Sequence, residues 1–208
     1  MSDTEQVKLW RSKFGDAWVD RMNDDENFQR ARMHLWKLIL SVLGDKHPSS
    51  ILEVGSNAGG NLIALNSLTD AELFAVEPNS KARKSLISKN VIDKKNVLDG
   101  TASNIPLDDG LIDLVFTHGV LIHIAPENLL EAYKEIYRVS KRYIVSSEYF
   151  SVNPRTIPYH GHDNALFTRD FGRYWMENFP DLKIIDYGFC WKHVTGLDNI
   201  TWWIFEKT

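Results

Sequence analysis

The chain of 208 residues has a single cysteine, Cys190, and it has no long apolar run. One cysteine excludes an intrachain disulfide and a CxxC metal site, and it suits a reducing cytoplasm. The apolar stretch at residues 35–43 is interrupted by Lys37 and is far too short to span a membrane. We therefore expect a cytoplasmic protein with no membrane partner and no bound metal.

The sequence also lacks a dense run of Lys or Arg, and its net charge is −4 with a pI near 6.0. Binding to a phosphate backbone needs a basic surface, so this balance argues against a nucleic-acid substrate. The length fits one domain, 1–208, with a sizeable core. A small-molecule partner is the remaining expectation, and the oligomeric state is left open.

Apolar periodicity alternates between strand and helix along the chain, after an N-terminal helical cap at residues 1–48. Strands are predicted at residues 50–54, 72–76, 95–98, 111–116, 142–147, 183–189 and 200–206, and helices at 58–68, 79–89, 126–138 and 169–178. This alternation predicts an α/β fold: a Rossmann-like, doubly wound, seven-stranded and mainly parallel sheet. Since no helix separates the last two strands, they should form a C-terminal antiparallel hairpin.

A glycine-rich turn follows the first predicted strand, in the order Glu53, Gly55, Asn57, Gly59 and Asn61. A strand, a tight turn and a helix start present free backbone N–H groups to a ligand. A dinucleotide fingerprint needs glycine at position 57, where this chain has asparagine. The E-x-G-x-x-x-G pattern instead resembles the first motif of S-adenosyl-L-methionine (SAM) methyltransferases. That resemblance implies a turn that holds the methionine end of SAM.

An acid, Glu77, follows directly after the second predicted strand. It lies 22 positions after Gly55. This spacing suits a carboxylate that accepts hydrogen bonds from a ribose diol, although an acid at a helix start also complements the helix dipole. In the methyltransferase pattern an acid and the next N–H bind the adenine edge. Here Thr101 and Ala102 stand at those positions, so a hydroxyl replaces the carboxylate. Further cofactor-binding candidates, Thr117 and His118, end the fourth strand.

Several stretches resemble one narrower family, the pseudaminic acid biosynthesis-associated methylases of the class I SAM-dependent methyltransferases. They are Trp10, Phe14, Gly15, Trp18, Arg21 and Asn23, then Glu148-Tyr149, residues 157–162, 166–171, 186–189 and 201–207. The Glu-Tyr pair and the I-P-Y-x-G-H segment are the more particular of these. The resemblance implies methyl transfer to a sugar-like acceptor in nonulosonic acid metabolism. His160 stands where the family is expected to carry an arginine.

The segment 148–170 follows the fifth predicted strand and is rich in aromatic and basic side chains. A long loop without secondary structure is usually functional or disordered, and this many aromatic residues argue against disorder. We expect an acceptor-binding lid, with a packed surface loop as the alternative. Its candidate binding residues are Glu148, Tyr149, Tyr159, His160, His162 and Arg169.

A hydroxyl or ammonium acceptor must lose a proton during methyl transfer, so a general base is expected within hydrogen-bond reach. The candidates are His162 first, then His123 and His160. If the acceptor is a carboxylate, no base is needed and the three histidines become binding residues. The helical spacing of Trp10, Phe14 and Trp18 favours core packing, with a cover over the cofactor as the alternative.

Two other functions remain open at this point. A non-catalytic SAM-binding protein of the same fold is suggested by Thr101, which replaces the expected acid. An NAD(P)-dependent oxidoreductase is disfavoured by Asn57 and by the terminal hairpin.

Overall fold

The computed structural model describes residues 3–21 and 25–208, so Asn23 of the family pattern lies outside the described residues. Its strands are β1 (Ser50–Val54), β2 (Glu72–Val76), β3 (Val97–Leu98), β4 (Ile112–His118), β5 (Ser140–Glu148), β6 (Arg155–Tyr159), β7 (His162–Thr168), β8 (Leu182–Cys190) and β9 (Ile200–Lys207). Its helices are α1 (Glu5–Arg11), α2 (Lys13–Arg21), α3 (Glu26–Val42), α4 (Gly60–Asn66), α5 (Ser80–Ser88), α6 (Pro126–Val139), α7 (Phe171–Asn178) and α8 (Lys192–Thr195).

Seven strands form one sheet in the order β3-β2-β1-β4-β5-β9-β8. The first five of these are parallel, whereas β9 pairs antiparallel with both β5 and β8. The predicted class I methyltransferase fold with its C-terminal hairpin is therefore confirmed. The order reverses beside β1, and the cavity described below lies at the carboxyl ends of β1, β2 and β4, as the general rule for such sheets requires.

Both faces of the sheet are covered, so the central strands are apolar along their length. On one face α3 packs Trp36 against Phe116 of β4, with ring centroids 4.4 Å apart. On the other face α6 and α7 bring Tyr133 and Trp175 to 3.9 Å. Within the described ranges, no helix is both long and apolar enough to cross a bilayer.

The lid segment differs from the expected loop without secondary structure, because β6 and β7 pair as an antiparallel hairpin. His160 and Gly161 connect them with φ of 48° and 86°. A two-residue connection with both φ values positive has the backbone twist that antiparallel strands favour. The hairpin stands apart from the main sheet and holds the lid in a defined shape.

Trp175 tests the α6–α7 face of the core, since its side chain is fully buried. Trp175→Ala should lower the free energy of unfolding by about 3–5 kcal/mol, because it removes the buried ring and leaves a cavity. Urea denaturation measures the change. Met176→Ala is the matched control, since the neighbouring side chain is 48% exposed and should change stability by less than about 1 kcal/mol. Equal losses in both variants would contradict this assignment.

Candidate active site

A cavity of about 820 Å³ opens at the carboxyl ends of the parallel strands, and its size lies within the range of small-molecule sites. Its walls come from the β1–α4 turn, the end of β2, the 99–104 loop, the end of β4, the hairpin and the cap. The cofactor candidates that line it are Glu53, Gly55, Asn57, Asn61, Glu77, Thr101, Ala102 and His118.

The β1–α4 turn depends on three left-handed residues, Gly55 at φ 76°, Asn57 at φ 48° and Gly59 at φ 79°. A Cβ on Gly55 would lie 2.6 Å from Val120 Cγ2, and one on Gly59 would lie 2.3 Å from Leu86 Cδ1. Both positions thus need glycine for conformation and for space. The predicted glycine spacing has a direct structural cause.

Glu77 holds this turn against the end of β2. Its Oε2 accepts the N–H of Asn57 at 2.8 Å, and its Oε1 accepts the N–H of Asn79 at 2.7 Å. Burial raises the pKa of Glu77, and the two N–H donors oppose that rise. Each carboxylate oxygen keeps a further lone pair, so the group still suits the ribose diol expected at this position. The alternative of a simple helix-start charge does not account for the bond to Asn57.

Glu53 lies at the floor of the cavity in a chain of three buried side chains. Trp36 Nε1 donates to Asn61 Oδ1 at 3.2 Å, and Asn61 Nδ2 donates to Glu53 Oε1 at 2.7 Å. Burial raises the pKa of Glu53 to about 8, although Asn61 and the nearby charge of Arg32 oppose the rise. Glu53 Oε2 is buried and has no hydrogen-bond donor among the described residues. An ammonium group, such as that of methionine, would supply the missing donor.

Asp99, two positions before Thr101, also lines the cavity. Its two oxygens are bound by Arg11 Nη1 and Arg83 Nη2, each at 2.9 Å. Thr101 and Asn104 close their own turn through two backbone hydrogen bonds. The wall where adenine is expected thus presents the Thr101 hydroxyl and backbone groups, with the arginine-paired carboxylate of Asp99 beside them.

The end of β4 divides the remaining cofactor candidates. Thr117 is buried and does not line the cavity, whereas His118 does. Burial lowers the pKa of His118 to about 4, with the charge of Arg32 acting in the same direction. His118 is therefore neutral at pH 7. Gly59 does not line the cavity, but its left-handed conformation is part of the β1–α4 turn.

Four of the predicted acceptor and catalytic residues line the cavity, namely Tyr149, Tyr159, His123 and His160. His123 Nδ1 donates to the carbonyl oxygen of Ala165 in β7 at 2.6 Å. Burial lowers the pKa of His123 to about 4, although the bond to Ala165 opposes this. His123 is thus a neutral histidine on the cavity wall, and its bond to the hairpin fixes the orientation of its ring.

The other three predicted residues do not line the cavity. His162 is exposed and packs its ring 5.0 Å from that of Phe14. Arg169 lies over the Tyr174 ring. Glu148 is fully buried behind the β4 loop, where it faces the backbone N–H groups of Val120 and Ile122 at 3.3 and 3.4 Å. Burial raises the pKa of Glu148 to about 7.

The tryptophans of the cap serve two purposes: those of α1 and α2 cover the cavity, and that of α3 packs into the core. Trp10 and Trp18 line the cavity from α1 and α2. Trp10 lies 4.8 Å from the His123 ring, and Trp18 lies 5.7 Å from the Tyr159 ring. Of the three tryptophans in the described part of the cap, Trp10, Trp18 and Trp36, it is Trp36 in α3 that belongs to the core. The alternative of a cover over the cofactor site is thus the better description of α1 and α2.

Two walls of the cavity were not expected from the sequence. The turn between β8 and β9 contributes Leu197 and Asp198, and the first residues of the chain contribute Thr4 and Gln6. An Asp-Asn pair between two strands indicates only a turn, so the sequence offered no signal for a binding role. Gln6 Nε2 donates to the carbonyl oxygen of Asn164 at 3.1 Å, which joins the cap to the hairpin.

Comparison with known proteins agrees with this geometry. Residues 52–143 match a family model described as a methyltransferase domain. This match and the fold support a SAM-dependent methyltransferase. The cofactor is SAM, as the sequence predicts. The match ends before the lid and begins after the cap, so it leaves the acceptor open. No curated protein matches the sequence of this chain at a significant level.

Three solved structures resemble the whole chain. The Burkholderia thailandensis 1,6-didemethyltoxoflavin-N1-methyltransferase, with S-adenosylhomocysteine bound, has a TM-score of 0.74 at 15% identity and covers 100% of this chain and 91% of its own. The magnesium protoporphyrin IX methyltransferase of Synechocystis, also with S-adenosylhomocysteine bound, has a TM-score of 0.70 at 14% identity and covers 97% of this chain and 98% of its own. A SAM-dependent methyltransferase from Aquifex aeolicus has a TM-score of 0.66 at 16% identity and covers 92% of this chain and 98% of its own. At such identities these likenesses show the fold alone.

Glu77 can be tested through the cofactor. S-adenosylhomocysteine should raise the melting temperature while NAD should not, and a ligand at ~100 times its Kd adds about 2.7 kcal/mol of stability. Glu77→Gln should weaken binding by about 1.5–3 kcal/mol, the range for hydrogen bonds to a charged group. Calorimetry measures the affinity, with the exposed Glu127→Gln as control. An unchanged affinity in Glu77→Gln would show that the carboxylate serves only the turn.

Glu53 predicts how stability depends on pH in the ligand-free protein. Its folded pKa of about 8 lies above the ordinary value of 4.5, so its stabilising contribution is lost as pH rises toward 8. His118 and His123, whose folded pKa values are about 4, act in the opposite sense only below about pH 6.5. Between pH 6.5 and 8 the melting temperature should therefore fall.

The fall should be smaller in Glu53→Gln, which has no proton to lose in this range. Part of the slope should persist because Glu148 titrates at about 7. Scanning calorimetry in buffers of matched ionic strength gives both curves. Parallel curves for the wild type and Glu53→Gln would show that Glu53 keeps an ordinary pKa.

Proposed function

We propose that the protein methylates a small sugar-like acceptor in nonulosonic (pseudaminic) acid biosynthesis or modification. One observation carries the proposal. Two stretches of the family resemblance, the aromatic pattern of the cap and the more particular I-P-Y-x-G-H segment, meet ring to ring at the mouth of the cavity. Phe14 and Trp18 lie within 6.5 Å of the rings of Tyr159 and His160.

This aromatic wall supports a sugar-like acceptor through its chemistry. Aromatic faces pack against the C–H surface of a sugar ring, while polar groups beside them bind its hydroxyls. His160 supplies such a polar group at the mouth, where the family resemblance leads one to expect an arginine. Burial raises the pKa of Tyr159 to about 12, and the charge of Arg21, the last residue of α2, opposes this rise. Arg21 thus lies near this mouth. A carboxylate of the acceptor would be held from the mouth by such groups.

We assign the general base to His123, in place of His162, which the sequence favours. When bound, SAM supplies an electrophilic methyl group on a sulfonium. The protein's part is to orient the acceptor and to take its proton. Nε2 of His123 would take the proton of the acceptor oxygen or nitrogen as that atom receives the methyl group, and the electron pair of the C–S bond would stay on sulfur. His123 lies at the cavity wall between Trp10 and Tyr159, whereas His162 faces solvent.

The proposed function is tested with pseudaminic acid and its CMP-activated form as acceptors, measuring S-adenosylhomocysteine release and product mass. Wild type should add one methyl group. His123→Gln should lower the rate by about 10²–10⁴-fold, because an amide can still bond to Ala165 but cannot take a proton at neutral pH. S-adenosylhomocysteine affinity should change little.

His162→Gln is the matched control, since it makes the same substitution at an exposed position outside the cavity lining. It should retain most of the rate. The reverse result, a full rate in His123→Gln and a loss in His162→Gln, would return the base to the hairpin. Failure of both acceptors in the presence of bound SAM would exclude the nonulosonic acid assignment.

A further inference from the structure

Tyr149 and Asp198 form a hydrogen-bonded pair that lines the cavity. Tyr149 Oη lies 2.8 Å from Asp198 Oδ2, and Lys192 Nζ lies 2.8 Å from Asp198 Oδ1. Burial tends to raise the pKa of Asp198, but Lys192 and Tyr149 outweigh that effect and hold it below the ordinary value. Asp198 is therefore a carboxylate at neutral pH and can only accept. The hydroxyl hydrogen of Tyr149 must point to it.

That commitment leaves Tyr149 with one polar property for a ligand. With its hydrogen directed to Asp198, the phenol oxygen can only accept a hydrogen bond from a bound molecule. The pKa of Tyr149 is also raised well above its usual value, first by burial and then by the bond to Asp198, so the phenol keeps its proton. The group is thus a fixed acceptor rather than a rotor that adapts to its partner.

His123 is restricted in the same way by a different partner. The carbonyl oxygen of Ala165 has no hydrogen to give, so Nδ1 of His123 must be the protonated nitrogen. Because the ring is neutral at pH 7, Nε2 carries a lone pair and no hydrogen. Tyr149 and His123 therefore offer a ligand two hydrogen-bond acceptors and no donor.

We propose that Asp198 is a positioning residue that orients the Tyr149 hydroxyl, so that the site selects a hydroxyl or amine as the methylated group and rejects a carboxylate. The inference rests on the proposed function only for the identity of the acceptor molecule. A hydroxyl or an ammonium group has hydrogens to donate to Tyr149 and His123. An ionised carboxylate has none, and it would place its charge against two lone pairs. Lys192 is part of the device because it fixes the orientation of Asp198.

The chain provides a matched pair for control. Tyr137 donates to Asp181 in the same way, and neither residue lines the cavity. Tyr149→Phe and Tyr137→Phe thus remove the same hydrogen bond at two places, one inside the site and one outside. Asp198→Asn and Asp181→Asn form the second matched pair.

Asp198→Asn should reverse the polarity of Tyr149 instead of merely weakening its bond. Lys192 will retain the amide oxygen at the Oδ1 position, because an ammonium can only donate. The amide nitrogen then faces Tyr149 and donates to its oxygen, which turns the phenol hydrogen toward the cavity. A ligand ammonium should consequently lose its partner in Asp198→Asn as it does in Tyr149→Phe.

The experiment compares the Kd of sinefungin with that of S-adenosylhomocysteine by calorimetry, so it needs no acceptor. Sinefungin carries an ammonium-bearing carbon in place of the methyl-bearing sulfur of SAM. Its preference over S-adenosylhomocysteine should fall about 10-fold in Tyr149→Phe and in Asp198→Asn, the size of one hydrogen bond to a charged group. The double variant should show no further fall, because both changes remove the same contact.

The control variants Tyr137→Phe and Asp181→Asn should keep the wild-type ratio. An unchanged ratio in Tyr149→Phe, or an equal fall in Tyr137→Phe, would overturn the inference whatever the acceptor proves to be. A second arm offers pseudaminic acid and its carboxylate methyl ester as acceptors. Methylation of both supports a hydroxyl or amine target, whereas a product esterified at the carboxylate would overturn the inference. If neither is methylated, the proposed acceptor is wrong and the sinefungin ratio still decides the role of Asp198.

Discussion

The carboxylate of Glu77 is the interaction on which the rest of the site depends. It binds the N–H of Asn57 in the glycine turn and the N–H of Asn79 at the start of α5. Asn79 in turn donates from its side chain to the carbonyl oxygen of Trp10 and to Asp16 Oδ1, at 2.9 and 3.0 Å. One buried acid thus connects the cofactor turn to the cap that covers it. Because burial raises the cost of an unpaired carboxylate, its two N–H donors fix the relative position of these elements closely.

Features that depend on neighbours in sequence were predictable. The glycine turn follows from left-handed conformations that Gly55 and Gly59 alone tolerate, and the strands follow from apolar runs that both faces of a parallel sheet bury. The C-terminal hairpin followed from the missing helix before β9. The spacing of Glu77 pointed to a ligand, but its second duty, as the acceptor for Asn57, became evident only from the geometry of two adjacent strand ends.

Features that depend on the meeting of distant segments were not predictable. The sequence of segment 148–170 predicts a lid without secondary structure, whereas the left-handed His160 and Gly161 form a turn that pairs β6 with β7. Residue type alone made His162 resemble His123, yet only His123 meets a carbonyl oxygen 42 positions away. Asp198 enters the site because β8 and β9 pair at the far side of β5. No local pattern encodes that approach.

The cap is held along its rim by charges that reach water, in contrast to the buried contacts at the floor of the cavity. Arg11 pairs with Asp99, and Lys81 pairs with Asp20, with side chains that are 32–64% exposed. Exposed pairs contribute about 0–1 kcal/mol each and weaken as the Debye length shrinks toward about 8 Å at physiological ionic strength. Salt therefore loosens the rim while the hydrogen bonds around Glu77 persist. The ionic strength of the surroundings therefore affects how firmly the cap is held over the cavity, and it affects the contacts at the floor of the cavity much less.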